Sequence, residues 1–161
     1  MPGTPLHVTA TQGKAYSVLG DRYIFKVTGA ETGGAYALFD CLILPGNGAP
    51  PHIHRREDEV FWGLSGELCF YVGIGRARVV LKEGEHLYSP RDVPHYFVNE
   101  SKAPCRVLIQ VLPAGLENFF AAIGTPLASP EAPPLPLNQA VDVPKVLGAA
   151  PNYGIELLLT S

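Results

Sequence analysis

Charge is sparse in this sequence and is nowhere concentrated. Twelve Lys and Arg residues stand against 15 Asp and Glu, for a formal net charge of -3. No basic cluster offers the electrostatic footprint that nucleic acid or an anionic membrane surface attracts, so neither partner is expected. No apolar run approaches the length of a membrane span, and the N-terminal Met1-Pro2-Gly3-Thr4-Pro5 lacks the basic and apolar regions of a secretion signal. These absences predict a soluble, cytoplasmic protein. Cysteine is scarce as well. Cys41, Cys69 and Cys105 are odd in number, widely spaced and set in apolar, strand-like stretches. They read as buried free thiols, because a reactive or ligating cysteine needs an electropositive, partly exposed setting that none of the three has locally.

Turn formers, in contrast, are abundant. The 161 residues include 17 Gly and 16 Pro and are 47% apolar. That suits many short strands joined by sharp turns better than long helices, within one domain of ordinary size. From Arg22 to Leu112 the chain is a succession of strand-like runs: Arg22 to Thr28, Tyr36 to Leu44, Glu57 to Leu64, Glu67 to Val72, Arg76 to Leu81, His95 to Asn99 and Cys105 to Leu112. Ser65-Gly66 leaves room only for a tight turn, which predicts that the runs on either side of it are antiparallel neighbours. About eight antiparallel strands must close into a barrel or form two packed sheets to remove their edges. The fold class is all-β.

After Pro113 the texture changes. Leu116, Phe119, Phe120 and Ile123 recur at helical spacing and predict a short amphipathic helix ended by Gly124. Thr125 to Pro136 carries five prolines and reads as a semi-extended connector. A second short helix is predicted around Asp142 to Ala150, and the apolar Ile155 to Leu159 suggests a tail that packs on the barrel or on a second subunit. The organisation is therefore one domain over 1–161, with a barrel core at about 20–113 and an extension at 114–161. The apolar helix residues and C-terminus predict a homodimer.

The chemistry-bearing residues lie in two stretches. Gly46 is followed by His52-Ile53-His54, then Glu59, then Gly66. His52 and His54, at i and i+2 on an extended chain, point to one face and offer two imidazoles to one ion. Glu59 returns on the next strand with a carboxylate facing the same interior. The second stretch carries Gly84, Pro90, Asp92, His95 and Asn99. Pro90 and Pro94 stiffen the entry to a strand, which delivers His95 at a fixed place as a third histidine. Of the neighbours, Asp58 has the wrong strand parity for a ligand and Glu57 lies too near the turn. His7 and His86 read as surface residues. Period-two alternation turns Phe61, Gly63, Phe97 and Asn99 inward.

The two stretches resemble the paired signature motifs of the cupin superfamily. All five diagnostic positions of the first match, as do Gly84, Pro90, His95 and Asn99 of the second. Asp92 stands where the family usually has Gly, a departure that Asp tolerates through its access to the left-handed conformation. Gly63 stands where the family often has a bulkier aliphatic residue, which implies opened volume beside the site. The resemblance implies an antiparallel double-stranded β-helix, or jelly-roll barrel, with short C-terminal helices. It also implies one divalent metal ion, held by His52, His54, Glu59 and His95. Such an N₃O set suits Fe, Mn, Ni, Co, Cu or Zn. The run Pro50 to Phe61, the stretch Ser89 to Phe97 and the tail Tyr153 to Leu157 are similar to the quercetin-2,3-dioxygenase-like subgroup. That likeness implies a flavonol or other enolic or phenolic small molecule as substrate, with Glu59 as ligand or as catalytic base. A non-catalytic, metal-containing ligand-binding or sensing protein, or an isomerase, is the alternative.

Overall fold

The computed structural model describes residues 4–158. Among these residues, twelve strands, four short α-helices and one 3₁₀ turn follow one another in the order β1 (Lys14–Val18), β2 (Asp21–Val27), α1 (Gly29–Thr32), β3 (Ala37–Ile43), β4 (Gly48–His54), β5 (Asp58–Ser65), β6 (Glu67–Val72), β7 (Ala77–Lys82), β8 (His86–Ser89), β9 (His95–Val98), β10 (Cys105–Leu112), α2 (Leu116–Ile123), β11 (Thr125–Pro126), α3 (Leu137–Ala140), α4 (Val143–Ala149), the 3₁₀ turn (Ala150–Tyr153) and β12 (Ile155–Leu157). The strands form two antiparallel sheets. One has the order β11-β1-β2-β3-β10-β5-β8 and the other β12-β4-β9-β6-β7. The expected antiparallel, all-β barrel is the architecture found.

Alternation builds the space between the sheets. On β10 the side chains of Cys105, Val107, Ile109 and Val111 are buried, while Arg106 and Leu112 are exposed. Phe39 and Phe61 from one sheet meet Phe70 and Phe97 from the other in a single apolar cluster. Each such ring contributes about 1.5–3 kcal/mol through burial. Cys41, Cys69 and Cys105 are buried free thiols, as their apolar settings predict. Asn99 is fully buried and fully paired. Its Nδ2 donates to the carbonyls of Ile43 and Ala103, and its Oδ1 accepts from the Ser101 amide. The second motif thus ends on a structural amide.

Two expectations need correction. β5 and β6 are not paired neighbours, for they lie in different sheets. Both edges of β5 are already filled by β10 and β8, and Gly66 at φ +69° turns the chain across the corner. Gly63 is buried but opens no cavity. A Cβ there would lie 2.1 Å from the Lys82 carbonyl oxygen, so glycine is needed for the close approach of the 82–85 turn, to which Gly63 is tied by its own amide and carbonyl.

The extension folds back on the barrel. Leu116, Phe119 and Ile123 of α2 join the barrel's apolar cluster, so most of the helix face from which a dimer was expected is covered by the chain itself. Asp142 caps α4 by accepting from the Lys145 amide at 3.0 Å. β12 then adds to the edge of β4, with Ile155 opposite His54 and Leu157 opposite His52. Leu159 of the apolar tail lies outside the described residues. Among the described residues, no helix is long and apolar enough to cross a membrane.

Candidate metal centre

His52 and His54 share one face of β4, as their i, i+2 spacing requires. The register of β4 on β9 sets His52 directly opposite His95, and Glu59 arrives from β5 in the facing sheet. The four side chains converge in the barrel interior, all buried, with one donor atom from each lying within 4.8 Å of the others. His52 Nε2 is 3.0 Å from His54 Nε2, and Glu59 Oε2 is 2.8 Å from His95 Nε2 and 3.3 Å from His54 Nε2.

Each imidazole is oriented through its other nitrogen. His52 Nδ1 meets the Pro50 carbonyl at 2.6 Å, and His54 Nδ1 meets Glu57 Oε1 at 2.6 Å. His95 Nδ1 lies 3.1 Å from the Val93 carbonyl and 3.0 Å from Ser89 Oγ. A carbonyl or carboxylate at that distance requires an N–H on Nδ1, which leaves the Nε2 lone pairs pointing at the centre. Two such lone pairs 3.0 Å apart repel unless positive charge lies between them, either a proton carried by His54 or a metal ion. The donor set therefore fits one divalent ion, with nitrogen from three histidines and oxygen from Glu59.

The electrostatics agree with that fit. Burial lowers His52 to about 3, reinforced by the neighbouring His54 and His95, so this imidazole stays neutral and able to donate its lone pair. Burial also opposes charging of His54, but Glu59 and Glu57 outweigh it and raise that group. Burial alone would raise the Glu59 carboxyl, yet the three imidazoles hold it down to about 2, an anion at any ordinary pH.

Glu57 is the residue that strand reasoning dismissed. It is not a rival ligand but a buried carboxylate that aims His54. A glutamate three residues after a candidate histidine ligand was the only available signal. Asp58 points away as its parity predicts and accepts from the Arg91 amide and guanidinium. Asp92 takes the left-handed conformation at φ +66°, and its amide donates to the His54 carbonyl at 2.8 Å. His7 and His86 are exposed, away from the cluster.

Beside the centre lies a cavity of about 50 Å³, bordered by His52, His54, Glu59 and Tyr23 and otherwise by apolar side chains. Its cover comes from the extension: Phe119 and Phe120 of α2, Val146 of α4, and Ile155 and Leu157 of β12.

Comparison with known proteins places this geometry. The Cupin domain family matches residues 39–111, a segment containing all four donors. No curated protein matches the sequence. Among solved structures, KdgF from Halomonas sp. superposes with a TM-score of 0.62 at 14% identity, covering 71% of this chain and 99% of its own. A predicted oxalate decarboxylase from Thermotoga maritima gives 0.56 at 18% identity, over 67% of this chain and 99% of its own. The polyketide cyclase RemF from Streptomyces resistomycificus gives 0.55 at 21%, over 68% and 78%. Likeness at this level establishes the fold, and the chemistry must be argued from the site.

Proposed function

We propose that the chain is a member of the cupin superfamily, whose domain model matches residues 39–111, and that it is a metal-dependent enzyme that oxygenates a small enolic or phenolic molecule. The observation that carries this reading is the buried N₃O cluster opening onto a small, largely apolar cavity. A divalent ion held by His52, His54, His95 and Glu59 supplies Lewis acidity that favours the ionised form of a substrate hydroxyl. The chain's own residues do the remaining work. Pro50, Glu57, Ser89 and Val93 hold the three rings in register, while the apolar walls exclude bulk water and so strengthen every charge inside. Glu59 is the carboxylate nearest the centre. Its low proton affinity favours the ligand role over that of base, although its oxygens remain the acceptor at hand for a substrate proton.

The test is oxygen uptake by protein loaded in turn with Fe, Mn, Ni, Co and Cu, against a panel running from small enols through catechol to a flavonol. Uptake is expected with at least one pair. Glu59→Gln should lower it by about two to four orders of magnitude if the carboxylate takes the proton. Metal content measured in the same sample separates that loss from loss of a ligand.

The size of the cavity favours a second reading. About 50 Å³ is less than the roughly 150 Å³ of an apolar cavity that takes one benzene, so a flavonol reaches the cluster only if the cover opens. A closed site of this kind also suits capture of a small ligand without turnover. Binding without oxygen uptake across the whole panel would establish that role instead.

A further inference from the structure

The cavity beside the cluster holds one polar side chain that the metal centre does not use. Apart from His52, His54 and Glu59, every residue that borders it is apolar except Tyr23. Tyr23 projects from β2, in the sheet opposite His52 and His54. It is only 5% exposed, and its ring packs on Phe120 with centroids 4.8 Å apart. The hydroxyl has no hydrogen-bond partner among the described residues and is not one of the atoms sealed off on all sides, while Tyr23 itself lines the cavity and lies near enough to Glu59 to feel its charge.

A tyrosine this buried whose hydroxyl finds no partner among the described residues is unusual, because native interiors pair nearly all of their hydroxyls. Elsewhere in this chain the rule holds: Ser89 Oγ meets His95, and Ser17 Oγ accepts from the Leu135 amide. Phenylalanine would fill the same volume without leaving a polar atom unpaired. Burial, together with Cys41, Asp21 and Glu59, raises the phenol well above its ordinary value, so it is present as a neutral O–H donor.

We propose that Tyr23 is a substrate-binding residue, whose hydroxyl donates a hydrogen bond to one oxygen of a compact two-oxygen substrate while the other oxygen lies at the His52, His54, Glu59 and His95 cluster. This rests on the oxygenase reading and narrows its substrate class. The walls are otherwise apolar, and about 50 Å³ holds on the order of three or four waters. The substrate is therefore a small uncharged hydroxy-carbonyl or enediol on a frame of a few carbons. A site built to hydrogen-bond a substrate oxygen discriminates strongly against analogues that lack it.

Zinc-loaded protein tests this without any oxygen chemistry. Acetohydroxamate, a compact probe with two oxygens, and ethanethiol, which has none, are titrated calorimetrically into wild type and Tyr23→Phe. Acetohydroxamate should bind the variant about tenfold more weakly, with ethanethiol binding, zinc content and melting temperature unchanged. Equal acetohydroxamate affinity in the two proteins overturns the proposal. So does an equal loss for both probes, or a variant that holds less zinc, since each places the hydroxyl in structural support. The parent reading fails separately. Discriminating binding by Tyr23 with no oxygen uptake under any metal rejects the oxygenase and leaves the ligand site. Uptake of the smallest active substrate with an unaltered KM in Tyr23→Phe rejects the role of Tyr23 and leaves the oxygenase.

Discussion

Asp21 is a buried carboxyl group with no cation paired to it among the described residues. Its Oδ1 accepts from the Leu44 amide at 2.9 Å and from Asn47 Nδ2 at 3.1 Å, yet burial dominates and pushes its pKa from 3.8 up to about 7. Between those two values the native state holds a proton that the unfolded chain has released. Stability from this group is therefore greatest below pH 3.8 and is lost as pH rises towards 7. Asp21→Asn keeps the acceptor and removes the charge, so the urea midpoint should fall less between pH 5 and pH 8 in the variant than in wild type at equal metal content. Parallel pH profiles would show that Asp21 does not carry the effect. In the metal centre, His95→Ala should lose most of the metal while the β-rich circular dichroism survives. Glu57→Gln should weaken metal affinity by roughly 10- to 100-fold, because it removes the carboxylate that fixes His54. Competition with a chelator reads both, and full metal retention in either variant contradicts the assignment of its residue.

At the scale of elements, the placement of the donors depends on turns and edges. Gly63 lets β5 pass against the turn after β7, and Gly66 lets the chain leave one sheet for the other. Gly63→Ala drives a methyl into the Lys82 carbonyl and should cost about 1–3 kcal/mol through forced backbone movement. A melting temperature equal to wild type would mean that the 82–85 turn yields freely. On the other side of the centre, β12 guards the edge of β4. Arg55 ties the end of β4 to Asp92 at 2.8 Å and to Glu156 of β12 at 2.6 Å. These bridges are exposed and worth little individually, so most of the hold comes from strand pairing and from the buried Ile155.

For the whole molecule, the extension converts an open barrel mouth into a covered one. Deleting 151–161 removes β12 and two of the cavity's covering side chains, so the truncated protein should melt lower and admit probes larger than acetohydroxamate. Unchanged melting and unchanged probe selectivity would show that the cover lies elsewhere. The proposed homodimer needs a different surface from the one that motivated it, since α2 is largely covered by its own barrel. Leu137, Val143 and Leu147 remain exposed on α3 and α4, beside a groove shared with β4. Light scattering should give twice the chain mass, and a stable monomer at high concentration removes the proposal.

Features that depend on local spacing were legible in the residues alone. β-favouring runs between turn residues marked β2, β3, β5, β6, β7, β9 and β10 but neither β4 nor β8 as a run, helical spacing marked α2, and the i, i+2 histidines with Glu59 and His95 identified a donor set that the barrel brings together. Asp92 was legible too, because its left-handed tolerance is intrinsic to the residue. Only the tertiary structure decided which sheet each strand joins, since the pairing of β5 with β8 and β10 depends on edges made by distant segments. It alone turned Glu57 from a residue near a turn into the partner of His54, and Gly63 from apparent free volume into a point of backbone contact. It alone placed Tyr23 among the residues that line the cavity beside the cluster. An alternating strand shows which residues face inward but not what stands opposite them, and binding is decided by what stands opposite.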